Sequence, residues 1–93
     1  MLFNPKPVFL RILKHLPDQR KAKVKEAVFS LAEYLERGKT PPAGLGLKLI
    51  HRPYWEIRST LADRILFAWI GDSVEWLYVG SHDDIKKALK NLR

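Results

Sequence analysis

The sequence predicts an α+β domain in which an N-terminal helical hairpin packs on a small antiparallel sheet of three to four strands, with a C-terminal helix after the sheet. Three observations predict it. Apolar residues recur at helical spacing from Phe9 to Leu35. From Tyr54 to Gly80 they alternate or run continuously, as strand residues do. The chain then closes on a capped, lysine-rich amphipathic stretch.

Pro7 suits the first turn of a helix, where its missing N–H costs nothing. Phe9, Ile12, Leu13 and Leu16 follow with the i, i+3, i+4, i+7 spacing of one apolar face. Pro17 ends that helix, because the residue before a proline is pushed out of the α region. Asp18 can cap a second helix, whose stripe is Val24, Val28, Leu31 and Leu35, thickened by Ala27 and Ala32. Gly38 is placed to end it in a left-handed conformation. The short link makes the two helices an antiparallel hairpin. Residues 38–46, rich in Gly and Pro, read as a connector. Gly44-Leu45-Gly46 lacks the further glycine and the preceding strand of a phosphate-cradling loop.

Leu47 to Ile50 reads as a short extended piece, and His51 and Arg52 precede Pro53 in a loop. Trp55, Ile57 and Ser59 then alternate with Glu56 and Arg58, giving a strand with one apolar and one polar face. Arg64 to Ile70 is apolar on both faces after its first residue, the mark of a central strand. Gly71-Asp72 is a tight hairpin turn of the primed kind, and Val74 to Gly80 is the next strand. Ser81 and Asp84 fit a capping-box variant. Ile85, Leu89 and Leu92 form the inward face of the last helix; Lys86, Lys87, Lys90 and Arg93 point outward. The hairpin is expected to cover one sheet face and leave the polar face open, with Trp69 in the core and Trp55 and Trp76 partly exposed.

Ninety-three residues bound the chain to one domain, residues 1–93, with one modest core. With 46% apolar and 29% charged residues, disorder is excluded as a class. The absence of cysteine excludes a disulfide framework and any thiolate metal site, and fits a reducing, cytoplasmic setting. No apolar run approaches the roughly 20 residues of a membrane span, and no signal-peptide pattern is present. Seventeen Lys and Arg against ten acids give +7, which points to an anionic partner: nucleic acid, an acidic protein or an anionic membrane.

The chemistry-bearing residues gather after residue 50. Arg58 and Arg64 lie in adjacent strands and can grip a phosphate in bidentate fashion. His82 follows the last strand, and imidazole is the side chain that exchanges a proton near neutral pH. Two guanidinium groups and one imidazole are the minimum equipment for cutting RNA without a metal, with the substrate's own 2′-hydroxyl as nucleophile. The competing reading pairs the arginines with Glu56, Glu75 or Asp63 on a solvated face; hairpin register decides whether they share a face. Arg20, Lys21, Lys23 and Lys25 crowd the start of the second helix, where cations oppose the helix dipole, so an anionic contact with RNA or a partner is expected there. His15 reads as a surface or capping residue. The ten acids are scattered without ligand spacing, which argues against metal catalysis, and neither Ser59 nor Ser73 sits in a nucleophile elbow. No cofactor is expected.

The order of Trp55-Glu56-Ile57-Arg58, Asp63-Arg64-Ile65-Leu66-Phe67 and Tyr78-Val79-Gly80-Ser81-His82-Asp83, behind a helical hairpin, resembles the RelE/ParE superfamily of toxins from bacterial type II toxin–antitoxin systems. The resemblance spans nearly the whole chain. It implies a cognate antitoxin as partner. For a RelE-like member it implies cleavage of messenger RNA, usually at the ribosome; for a ParE-like member, inhibition of DNA gyrase without nuclease activity. By motif position Arg58 and Arg64 fall where RNA-cutting members carry phosphate-binding basic residues, and His82 where they carry a terminal Arg or His. Lys48, His51, Arg52, Arg20, Lys21, Lys23, Lys25, Lys86 and Lys87 are then the candidate RNA-binding surface. Two departures stand out: nothing after Tyr78 is aromatic, where many RNA-cutting members carry a tyrosine, which supports a third reading as an inactive RNA- or protein-binding relative; and Met1-Leu2-Phe3 leaves at most a stub of the family's first strand.

Overall fold

Arg64–Ile70, the segment apolar on both faces, lies at the centre of a five-stranded sheet. The computed structural model describes residues 1–92; Arg93, expected on the outer face of the last helix, lies outside the described residues. In chain order the strands are β1 (Leu2–Pro5), β2 (Lys48–His51), β3 (Tyr54–Arg58), β4 (Arg64–Ile70) and β5 (Ser73–Gly80). The helices are α1 (Pro7–His15), α2 (Asp18–Glu36) and α3 (His82–Asn91). The strand order is β1-β5-β4-β3-β2. β2, β3, β4 and β5 pair antiparallel, whereas β1 runs parallel to β5.

The sheet is therefore larger than expected and mixed rather than antiparallel, and a strand precedes the helical hairpin. The stub Met1-Leu2-Phe3 belongs to that strand. Four residues ending in proline carry no period to read; pairing with β5 makes them a strand. The ladder ends on the Leu2 N–H donating to the Asp72 carbonyl at 2.7 Å and the Lys6 N–H to the Trp76 carbonyl at 2.9 Å.

α1 and α2 cover one face. Phe9, Val24, Ala27 and Leu31 pack there on Ile57, Ile65, Phe67, Val74, Trp76 and Val79. The opposite face does not stay open. α3 lies across it, with Ile85 and Leu89 on Leu66, flanked by Ile50, Tyr54 and Tyr78. The cause is physical: β4 is apolar on both sides, and the apolar stripe of α3 has no other surface to cover.

The tryptophans also redistribute. Trp76 is fully buried against Phe9 and Phe67, while Trp55 and Trp69 are only part-buried and touch each other with ring centroids 5.5 Å apart. A β-bulge explains Trp76. Leu66 pairs Tyr78 and Phe67 pairs Trp76, so Leu77 is an extra residue that reverses the alternation of β5 and turns Trp76 inward.

Asp18, expected to cap α2, is instead its first helical residue: Pro17 holds the cap position and no side chain caps it. The other ends behave as their residues dictate. Gly38, at φ +64°, closes α2 in a Schellman arrangement, with the Lys39 N–H donating to the Tyr34 carbonyl and the Gly38 N–H to that of Leu35. Ser81 Oγ accepts from the Asp84 N–H at 3.2 Å, and the Asp84 carboxylate accepts from the Ser81 N–H at 2.9 Å, completing the capping box of α3.

Candidate functional site

β-strand register brings the two arginines together. Arg58 on β3 stands directly opposite Arg64 on β4, and Arg64 in turn opposite Gly80 on β5. Directly opposed residues share a face, with Cα atoms about 4.5–5.5 Å apart. The neighbouring row on that face is Lys48, Glu56, Leu66 and Tyr78. The end of the sheet thus carries Lys48, Arg58 and Arg64 around Glu56, with the Asp84 side chain lying against Gly80.

The two guanidinium groups have different surroundings. Arg64 Nη1 donates to Glu56 Oε2 at 2.6 Å, and the Glu56 side chain is 3% exposed. Arg58 is exposed and has no ion pair among the described residues. Its side chain lies over Gly46: a Cβ there would sit 2.8 Å from Arg58 Nε, and Gly46 has φ +62°. The left-handed backbone favours glycine at 46, and a Cβ there would also push the Arg58 side chain aside. Arg58 opens onto a polar pocket of about 250 Å³ that Lys23, Ser30 and Ser59 also line.

His82 opens α3, two residues beyond Gly80, the register partner of Arg64. Ala88, Asn91 and Leu92 line a groove of about 440 Å³ with Lys6 and Tyr78, on the β5–β1 side of α3. At 100° per residue, that placement puts His82 and Lys86 on the opposite flank, toward β4 and β3, and sets Lys87 away from the arginines. His82 is exposed. Arg58, Arg64, His82, Lys48 and Lys86 thus share one end of the sheet, with Lys23 at its border.

The other basic residues expected on an RNA-binding surface lie elsewhere. Arg20 is engaged in structure: Nε and Nη2 each donate to an Asp63 carboxylate oxygen at 2.8 Å, tying α2 to the loop between β3 and β4. That bond to nearly buried Asp63 holds the Arg20 guanidinium above its ordinary value. His51 ends β2 rather than lying in a loop, its ring edge-on to Tyr54 at 5.4 Å; its Nε2 is buried with no partner among the described residues. Arg52 is exposed at the far end of the sheet, where it lines a pocket with Trp55, Trp69 and Gly71. Lys25 borders the apolar groove of α1 and α2, and Lys21 is part-buried near the start of α2.

Glu56 was legible as a polar alternate of its strand and as one of three acids that could pair with the arginines on a solvated face; it does pair with Arg64, but at 2% exposure the face is not solvated there. An acid two residues before one arginine, with a second arginine heading the next strand, would have signalled it once register was known. Among the described residues, no group of three His, Asp or Glu side chains could hold a metal ion, and no helix is long and apolar enough to cross a membrane.

No protein-family model matches the chain, and no curated protein matches it in sequence. Solved structures do. The RelE toxin complex of Methanococcus jannaschii, described as a RelB–RelE antitoxin–toxin complex, superimposes with a TM-score of 0.66 at 23% identity, over 92% of this chain and 95% of the other. A copper-bound mutant toxin from Helicobacter pylori gives a TM-score of 0.66 at 15% identity, over 91% of this chain and 98% of the other. The fold is RelE-like. In this RelE-like fold the cationic row of Arg58 and Arg64 ends on the start of α3.

Proposed function

We propose that this chain is the toxin of a type II toxin–antitoxin system and a metal-independent endoribonuclease that cleaves messenger RNA at the ribosome and so stops translation in the cytoplasm. The observation that carries the reading is the register pairing of Arg58 with Arg64 beside the start of α3, where His82 stands. Two arginines directly opposed across a ladder are a liability for folding and an asset for gripping a phosphodiester.

In this mechanism the RNA 2′-oxygen attacks the adjacent phosphorus and the P–O5′ bond breaks, leaving a 2′,3′-cyclic phosphate and a 5′-hydroxyl. The 2′-hydroxyl proton leaves to water. His82 gives a proton to the departing O5′. Arg64 and Arg58 stabilise the charge that builds on the phosphoryl oxygens. Lys48, Lys86 and Lys23 hold the flanking backbone by charge alone.

An antitoxin is the protein partner in this reading. The solved M. jannaschii relative is itself an antitoxin–toxin complex. Phe29 is 70% and Leu10 48% exposed along the apolar groove of α1 and α2, and apolar side chains gathered at a surface mark contact sites.

Purified protein incubated with a defined messenger RNA, with and without ribosomes, tests the proposal. Discrete cuts leaving 2′,3′-cyclic phosphate and 5′-hydroxyl ends, insensitive to EDTA, are the expected result. Intact RNA in both reactions, with gyrase-dependent DNA breaks in cells, would replace it with the ParE-like alternative.

A further inference from the structure

We propose that Glu56 is a positioning residue, whose carboxylate sets the Arg64 guanidinium in the orientation that grips the scissile phosphate. The inference rests on the nuclease reading above and adds a residue that motif position does not supply.

The argument begins with cost. A carboxylate that is 2% exposed loses its hydration and needs a cation held at good geometry. An apolar residue in that place would pack on Leu66, its register partner, without that requirement. Glu56 meets it with Arg64 Nη1 at 2.6 Å, on a side chain only 24% exposed. Lys48, opposite Glu56 in the β2–β3 ladder, adds a second cation on the same face.

Geometry then shows what the bond leaves over. A guanidinium has five N–H donors, and Glu56 engages Nη1. The Nε–Nη2 edge has no partner among the described residues, and that edge matches two phosphate oxygens in a bidentate fork. The bond to Glu56 thus fixes the plane of the guanidinium while leaving its phosphate-binding edge open. Arg58, without such a partner, lies in the groove over Gly46. One arginine is preset; the other is available to close on RNA.

Positioning and mere charge predict opposite behaviour in two conservative variants. Glu56→Gln keeps the reach of the side chain and an oxygen for Nη1 but removes the charge. Glu56→Asp keeps the charge but withdraws it by one methylene. With folding checked by circular dichroism, Glu56→Gln should keep kcat within about fivefold of the parent. Glu56→Asp should lower kcat about 100-fold, the size expected of a misplaced catalytic group, and raise KM about tenfold, in step with the loss of one charge-assisted hydrogen bond to bound RNA. An aspartate variant as active as the parent, or an equal loss in both variants, would overturn the proposal.

A second measurement separates this inference from the nuclease reading. Affinity for RNA with a 2′-deoxy nucleotide at the cut site needs no chemistry. Glu56→Asp should weaken it about tenfold, the loss of one charge-assisted hydrogen bond, and Glu56→Gln should not. If the parent cuts no RNA, the nuclease reading fails while this difference still decides how Arg64 is held. Equal affinity in all three proteins would overturn the role of Glu56.

Discussion

Arg58 and Arg64 stand opposite each other across the β3–β4 ladder, yet their guanidinium groups separate: one pairs with buried Glu56, the other rests over Gly46. Like charges in directly opposed positions destabilise a sheet. The fold relieves half of that repulsion with a buried acid and leaves the other half at the surface, where a phosphate would relieve it.

Removing the surface half should therefore help folding and harm function. Arg58→Gln is expected to raise stability by roughly 0.2–1 kcal/mol, the size of a cross-strand charge effect, and to weaken RNA binding. Denaturant midpoints and filter binding on the same preparations check both. A less stable variant with unchanged RNA affinity would make Arg58 a structural residue.

The Arg20–Asp63 pair should behave in the opposite way. Asp63 is 4% exposed and receives two charge-assisted bonds from α2. Arg20→Ala and Asp63→Ala are each expected to cost about 1.5–3 kcal/mol. The double variant should lose little more than the worse single one, because both remove one interaction. Urea unfolding of the four proteins measures the coupling, and RNA affinity in the folded Arg20 variant should stay near that of the parent.

The start of α3 makes a prediction in pH. The Ser81 N–H and side chain hold the Asp84 carboxyl below its ordinary value. A folded value below the unfolded one means that Asp84 adds stability fully present above about pH 4, the ordinary aspartate value. That stability is lost as pH falls through the lower folded value. Ser81→Ala should cost about 1 kcal/mol at neutral pH, or roughly 4–8 °C in Tm for a domain of this size. It should also flatten the loss of stability in acid. Thermal melts from pH 2 to 7 compare the two proteins, and His82 at the first position of the helix should become less ordered in the variant.

Most of the fold could be read from local rules. The stripe of Phe9, Val24 and Leu31 reached the core, β4 took the central position its two apolar faces require, and Ser81 with Asp84 capped α3. What escaped depends on long-range pairing. β1 has no pattern of its own and exists through β5; Trp76 turned inward through a bulge at Leu77; α3 covered a face expected to be open. The candidate site divides along the same line. Arg58, Arg64 and His82 were visible as residue types at the ends of strands. Their shared end, the buried acid between them and the diversion of Arg20 to Asp63 follow from register and from contacts 43 residues apart.

The most direct measurement is induction of the chain in bacteria, parent beside His82→Ala and Arg64→Ala, with messenger RNA followed by primer extension. The account predicts growth arrest with rapid cleavage at discrete sites in the parent, and loss of both in the two variants while they remain folded. Arrest with intact messenger RNA in the parent, or cleavage undiminished by both substitutions, would contradict it.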